Sequence, residues 1–191
     1  SDSANEFLRT LSMPLIDDGP IDVKAILEPK ENAAHIDINA VFGEFSLIGA
    51  ARSEDPSSLQ AAEIQLEAKG PNLAHLGDLA AQPHWPETPF DLRIEAARAG
   101  TQIDVTTFQL DSDALLLGLS GRVADFRSLG SGQFDGTLFI PSLDVWSAVL
   151  ELPPQLSGSL RGSIALIGEG NGADVSVKTE SDLGSLDISG R

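Results

Sequence analysis

The residues able to carry acid–base or metal chemistry are few. His35, His75 and His84 lie far apart, and no two have the spacing that places ligands on one helix face. A metal needs converging ligands with support behind them, so these read as surface or internally satisfied histidines. The acidic pairs Asp17–Asp18 and Asp111–Asp113 stand in turn-forming sequence, where Asp serves local hydrogen bonding rather than acid–base work. Gly168-Glu169-Gly170-Asn171-Gly172-Ala173-Asp174 has the flavour of a calcium-binding nonapeptide, but those ligands come from stacked copies and this run occurs once; a hairpin turn accounts for it. No nucleophile elbow, P-loop or dinucleotide fingerprint is present. With no cysteine, thiolate chemistry, disulfides and Cys-based metal sites all drop out. The expectation is a non-enzymatic protein without a cofactor. A hydrolase with Ser, His and Asp meeting on loops is the weaker rival, since triad members meet only in space.

Composition points the same way. A net charge of −17, with only 12 Lys and Arg, argues against nucleic acid, whose binding draws on cations neutralising phosphates. It also disfavours an anionic bilayer surface. Aromatic residues make up 5% and Tyr is absent, so Leu, Ile, Val and Ala must do the packing. No run approaches the roughly 20 apolar residues of a membrane helix, and no signal peptide is visible. The chain begins in a polar stretch and stops in strand-like sequence, so it reads as a piece of something longer.

The elements form a recurring order. Period-two alternation marks strands through Ile21–Leu27, Ala34–Phe42, Phe45–Ala51 and Ala62–Ala68. It resumes over Phe90–Ala96, Ile103–Leu110, Leu115–Val123 and Gly132–Ile140, then Leu156–Leu166, Ala173–Val177 and Leu186–Ile188. The run from Leu156 would reach roughly 35 Å. Phe108 and Leu110 are out of phase with Ile103 and Val105, so a bulge is expected near Thr106-Thr107. Asp111-Ser112-Asp113 is expected as a turn. Short helices are expected over 4–11, 72–80 and 143–150, the last with Ser142 as its N-cap. Each is followed by a proline-marked bend, with Pro14, Pro83 and Pro153 about 70 residues apart. This divides the chain into units 1–70, 71–141 and a partial 142–191, expected to share one folded body. Trp85 and Trp146 stand beside the two later bends and are expected to plug the end of the sheet beneath a helix.

About a dozen strands each offer one apolar face, while three short helices offer little cover. The hidden face must meet another sheet, its own curled continuation, or a ligand. On periodicity alone a closed sandwich or barrel core is the plain expectation. It corresponds to a structural or adhesive β-repeat segment that binds nothing apolar.

Three runs carry a more specific likeness: 150–162, with Leu156-Ser157-Gly158-Ser159-Leu160-Arg161-Gly162; 114–122, Ala114-Leu115-Leu116-Leu117-Gly118-Leu119-Ser120-Gly121-Arg122; and 136–144, Gly136-Thr137-Leu138-Phe139-Ile140-Pro141-Ser142-Leu143-Asp144. With the order of helix, bend and long alternating strands, this resembles the AsmA-like family of bacterial envelope proteins over most of 70–191 and more loosely over 1–69. The resemblance implies a mainly β fold of repeated, curled antiparallel sheet units forming a taco-like groove, with short helices between units. It implies a periplasmic location, a tether to the inner membrane outside this sequence, and a part in outer-membrane biogenesis. The implied partners are phospholipid or other acyl chains, further repeats of the same chain, and envelope proteins. A sheet face that is aliphatic and nearly free of aromatics and charges suits a flexible hydrocarbon tail, with binding resting on buried area at roughly 25 cal/mol per Å² before association costs. The residues expected to line it are Phe90, Leu92, Ile94, Ile103, Val105, Leu115, Leu117, Leu119, Leu160, Ile164 and Leu166.

Overall fold

The alternating segments become eleven strands: β1 Ile21–Lys30, β2 Ala33–Phe42, β3 Phe45–Ser53, β4 Ala61–Gly70, β5 Phe90–Ala99, β6 Gln102–Ser112, β7 Leu116–Val123, β8 Gly132–Ile140, β9 Leu160–Glu169, β10 Gly172–Ser181 and β11 Gly184–Gly190. The computed structural model describes residues 21–30, 33–53, 61–79, 84–125, 132–149, 157–169, 172–181 and 184–190. Every strand pairs antiparallel with its sequence neighbours, giving one sheet in the order β1 to β11. Among the described residues no ladder joins β11 to β1, so the sheet is not closed into a barrel. The substantial strand–strand contacts are all between ladder neighbours. The sandwich or barrel core favoured by periodicity is therefore not found among the described residues.

Two hairpins show how local chemistry sets the register. Phe42 faces Phe45 across Gly43-Glu44, and Ala99 faces Gln102 across Gly100-Thr101. Gly43 and Gly100 have φ of 60° and 64°, while Glu44 and Thr101 stay at negative φ. That is the two-residue turn with glycine first, whose twist matches the flanking strands. The expected bulge is present. Glu95 faces Thr107 while Ala96 faces Val105, leaving Thr106 as the extra residue, its hydroxyl donating to the Glu95 carbonyl at 3.2 Å. The extra residue returns Phe108 and Leu110 to the face of Ile103 and Val105.

Helical excursions leave the sheet after β4 and after β8. Asn72 accepts from the Ala74 N–H at 2.9 Å and starts α1, Ala74–Leu79. A 3₁₀ turn, η1, spans Leu143–Trp146. Both leave the sheet through a backbone clamp onto the returning chain, Leu73 N–H to Thr88 carbonyl at 2.7 Å and Leu143 N–H to Gly158 carbonyl at 2.8 Å.

Several expectations are corrected. The helix expected over 143–150 is a single 3₁₀ turn, and Ser142 makes no capping bond; its hydroxyl lies 3.4 Å from the Asp144 carboxylate. Asp111 and Ser112 belong to β6 rather than a turn. The reversal comes after them, where Ser112 Oγ accepts from the N–H groups of Ala114 and Leu115 at 3.0 and 3.2 Å. The strand expected from Leu156 begins at Leu160. The helix over 4–11, residues Pro14, Pro83, Pro153 and Leu156, lie outside the described residues. The unit boundaries at 70/71 and 141/142 fall where the β4–β5 and β8–β9 ladders carry the sheet straight through.

A diagonal of glycines crosses β7 to β9 where neighbouring backbone comes close. Gly121, Gly136 and Gly162 step two residues along per strand from β7 to β9. A Cβ on Gly136 would lie 2.0 Å from the Gly118 carbonyl oxygen, and one on Gly121 2.2 Å from that of Gln133. Neighbouring backbone thus leans over this face, as at glycine kinks that curve a sheet. Gly118, on the opposite face, would meet nothing closer than Thr137 Oγ1 at 3.5 Å. Gly136→Ala is therefore expected to cost about 2–3 kcal/mol in urea unfolding, and Gly118→Ala to be neutral or to stabilise by up to about 1 kcal/mol. Equal effects would remove the case for a crease.

Candidate apolar binding face

The ladders decide which side chains share a face, because directly paired residues point the same way. Ile38 pairs with Gly49, Gly49 with Leu66, Leu66 with Ile94, and Ile94 with Phe108. Phe108 continues to Leu119, Leu119 to Gly136, Gly136 to Ile164, and Ile164 to Val177. One apolar row thus crosses β2 to β10 without interruption. A flanking row, Leu92–Leu110–Leu117–Leu138, is apolar from β5 to β8 and reaches Thr179 on β10 through Gly162. All eleven residues expected to line a groove fall on this single face.

They do not share one environment. Phe90 and Leu115 are buried, at 3% and 5%, in a cluster with Ala68, Leu73, Leu110, Ala114, Ile140, Leu143 and Trp146. Leu92, Leu117 and Leu160 pack partly buried against it. The cluster forms where 71–79, 84–89 and 141–149 fold over one end of the strands. Trp146 is its anchor: the indole N–H donates to the Ala114 carbonyl at 2.8 Å, and the ring meets Trp85 edge-on with centroids 5.6 Å apart. The tryptophans cover the end of the sheet, as their positions beside the bends suggested. Ile94, Ile103, Val105, Leu119, Ile164 and Leu166 lie beyond this cover and stay half-buried, while Ile38 and Ile64 on the same face are 39% and 37% exposed.

The opposite face is polar and ion-paired. Lys69 pairs with Asp91, Arg93 with Glu95, and Arg122 with Asp104. Glu95 is held below its ordinary pKa chiefly by the Arg93 hydrogen bond, and Asp104 chiefly by that of Arg122. A depression of about 630 Å³ on this side, floored by Gly118, is walled by Leu116, Phe139, Asp135 and Arg161, whose guanidinium sits 4.9 Å from the Phe139 ring centre. Its lining mixes charged, polar and apolar groups, unlike the unbroken aliphatic rows of the other face. Leu116 is 41% exposed here.

Among the described residues no cluster of His, Asp and Glu could hold a metal ion. His35 bonds Asp37 at 3.1 Å. The sequence reading ended the β5 face at Ala96, but the register extends it to Arg98, between Ala62 and Ile103. The same two-residue step from Phe90 was the signal that would have found it.

Two outcomes follow. Trp146→Phe leaves the buried Ala114 carbonyl without its donor and should cost about 1–3 kcal/mol in chemical denaturation. A carboxyl with a depressed folded pKa stabilises above its unfolded pKa and stops doing so as acid protonates the folded state. Asp104→Asn should therefore be less stable than wild type at pH 7, with the gap closing as pH falls below about 3.9 and shrinking in high salt; urea midpoints at pH 7 and pH 3 check this. No family model, curated protein or solved structure gives a significant match to the chain.

Proposed function

We propose that this chain is the periplasmic part of an AsmA-like envelope protein and that its apolar face shields phospholipid acyl chains moving between membranes. One observation carries the reading: a nine-strand-wide aliphatic face, half-buried over much of its area, with no second sheet set against it among the described residues. Strand spacing of about 4.8 Å makes that strip roughly 38 Å wide, room for several hydrocarbon tails side by side. Leaving such a surface to water is unfavourable at roughly 25 cal/mol per Å², so a hydrocarbon guest gains what a second sheet would otherwise supply.

The glycine crease supports the groove reading, because it turns the apolar side inward. The pattern of four strands followed by a helical excursion, with the same backbone clamp on each, supports the repeat reading. Curled repeat units with a helix between them are the taco-like architecture the resemblance implies. The rival of a structural segment with a closed core would need side chains opposite Ile94, Leu119 and Ile164, and among the described residues the ladder contacts supply no strand to bring them.

Native mass spectrometry and lipid extraction of the purified protein test this. The expected result is co-purifying phospholipid or fatty acid, lost in Leu119→Asp and Ile164→Asp but kept in Ile48→Asp, which alters a residue 54% exposed on the polar face. A lipid-free protein with no affinity for added lipid would sink the reading.

A further inference from the structure

We infer that the depression floored by Gly118 on the polar face is a saccharide site, taking a neutral disaccharide with one ring flat on the bare backbone of β7. It stands on the face opposite the aliphatic rows and does not depend on their being an acyl-chain site. The starting point is a glycine that the fold does not need. A strand glycine packs nothing and weakens the strand, so it marks a positive φ, a bulge, or a close approach by backbone or ligand. Gly121, Gly136 and Gly162 answer to close approach within the sheet, since a Cβ on each would lie 2.0–2.3 Å from a neighbouring carbonyl oxygen. Gly118 answers to none of these. Its φ is not positive, its pairing with Gln109 and Thr137 is in regular register, and a Cβ would only touch Thr137 Oγ1 at 3.5 Å. What remains is an approach from outside the chain.

The lining gives the class of guest. Leu116, two residues from Gly118 along β7, and Phe139 opposite it make an apolar wall, and the Arg161 guanidinium lies over the Phe139 ring. On the other side of Gly118 stand Ser120 and Asp135, which forms no ion pair among the described residues. Gln109 and Thr137 flank the floor. An amide, a carboxylate, a guanidinium and two hydroxyls offer donors and acceptors to the neighbouring hydroxyls of a sugar, while bare backbone and the apolar wall suit its C–H face. An anion would approach a chain of net charge −17 past Asp111 and Asp135, and a cation would meet Arg161; a neutral polyol meets neither penalty. Asp135 and Phe139 lie four residues apart on β8, roughly 13 Å, which suits two linked rings better than one.

The test screens the full chain on an array of neutral, N-acetylated and acidic glycans, then titrates the best-retained neutral disaccharide by amide-resolved NMR. Wild type should retain neutral or N-acetylated glycans, with shifts centred on the amides around Gly118 and Thr137. Gly118→Val fills the floor and should weaken binding about tenfold or more while the urea midpoint stays at or above that of wild type; Asp135→Asn and Arg161→Gln should each weaken it about three- to tenfold. Ile48→Asp, elsewhere on the same face, should bind as wild type does. Retention of no glycan, retention of acidic glycans alone, or wild-type affinity in Gly118→Val overturns the inference. A wild-type dimer in sedimentation that Gly118→Val returns to monomer also overturns it, by naming a second copy's backbone as the occupant. Should Gly118→Val lose its fold by circular dichroism, Asp135→Asn and Arg161→Gln decide: affinity below wild type supports the site, and affinity equal to wild type in both overturns it.

Discussion

Antiparallel pairing of alternating strands gathers most of the large aliphatic side chains on one side of the sheet. Here that happens strand after strand, from Ile38 to Val177, and the described residues provide two short helical excursions to cover the result. The cover is concentrated at one end, where Leu73, Phe90, Leu110, Leu143 and Trp146 make a true core. Everything else about the molecule answers to the imbalance between a long apolar face and a short cover. The glycine diagonal lets neighbouring backbone approach this face closely, the opposite face carries the ion pairs, and the two helical excursions both leave from the covered end. The hydrophobic effect thus holds one end together, while much of the remaining face is only half-buried among the described residues.

Much of this was legible in the residues. Phase alone located the bulge, because Phe108 and Leu110 could regain the face of Val105 only by one inserted residue, and Thr106 is that residue. Phase also put all eleven proposed lining residues on one side. What phase cannot say is what lies opposite. A sandwich and an uncovered sheet share the same alternation, since each strand senses only whether its face is apolar. The difference resides in which strands pair, and a meander of neighbours gives a single layer.

The misses have local causes. Ser112 has the composition of a turn residue and does organise the turn, but its side chain reaches forward to the amides of Ala114 and Leu115, so the strand runs two residues further than composition suggests. The apolar run after Ser142 has helical spacing, yet one 3₁₀ turn is enough to bury Leu143 and Trp146, and the chain leaves once they are seated. The charge of Arg98 closes the apolar pattern of the sequence at Ala96, while the ladder carries the face past it.

Pairing confined to successive strands also bears on how such a molecule is made and altered. Each hairpin can form against the one before it as the chain emerges, with short loops to close rather than distant segments to find. A strand pair added or lost at a rim leaves the other ladders intact, which is the nearest-neighbour logic of solenoids. Length in this architecture is therefore set by how many hairpins the gene encodes, and lineages can stretch or shorten the sheet without redesigning it.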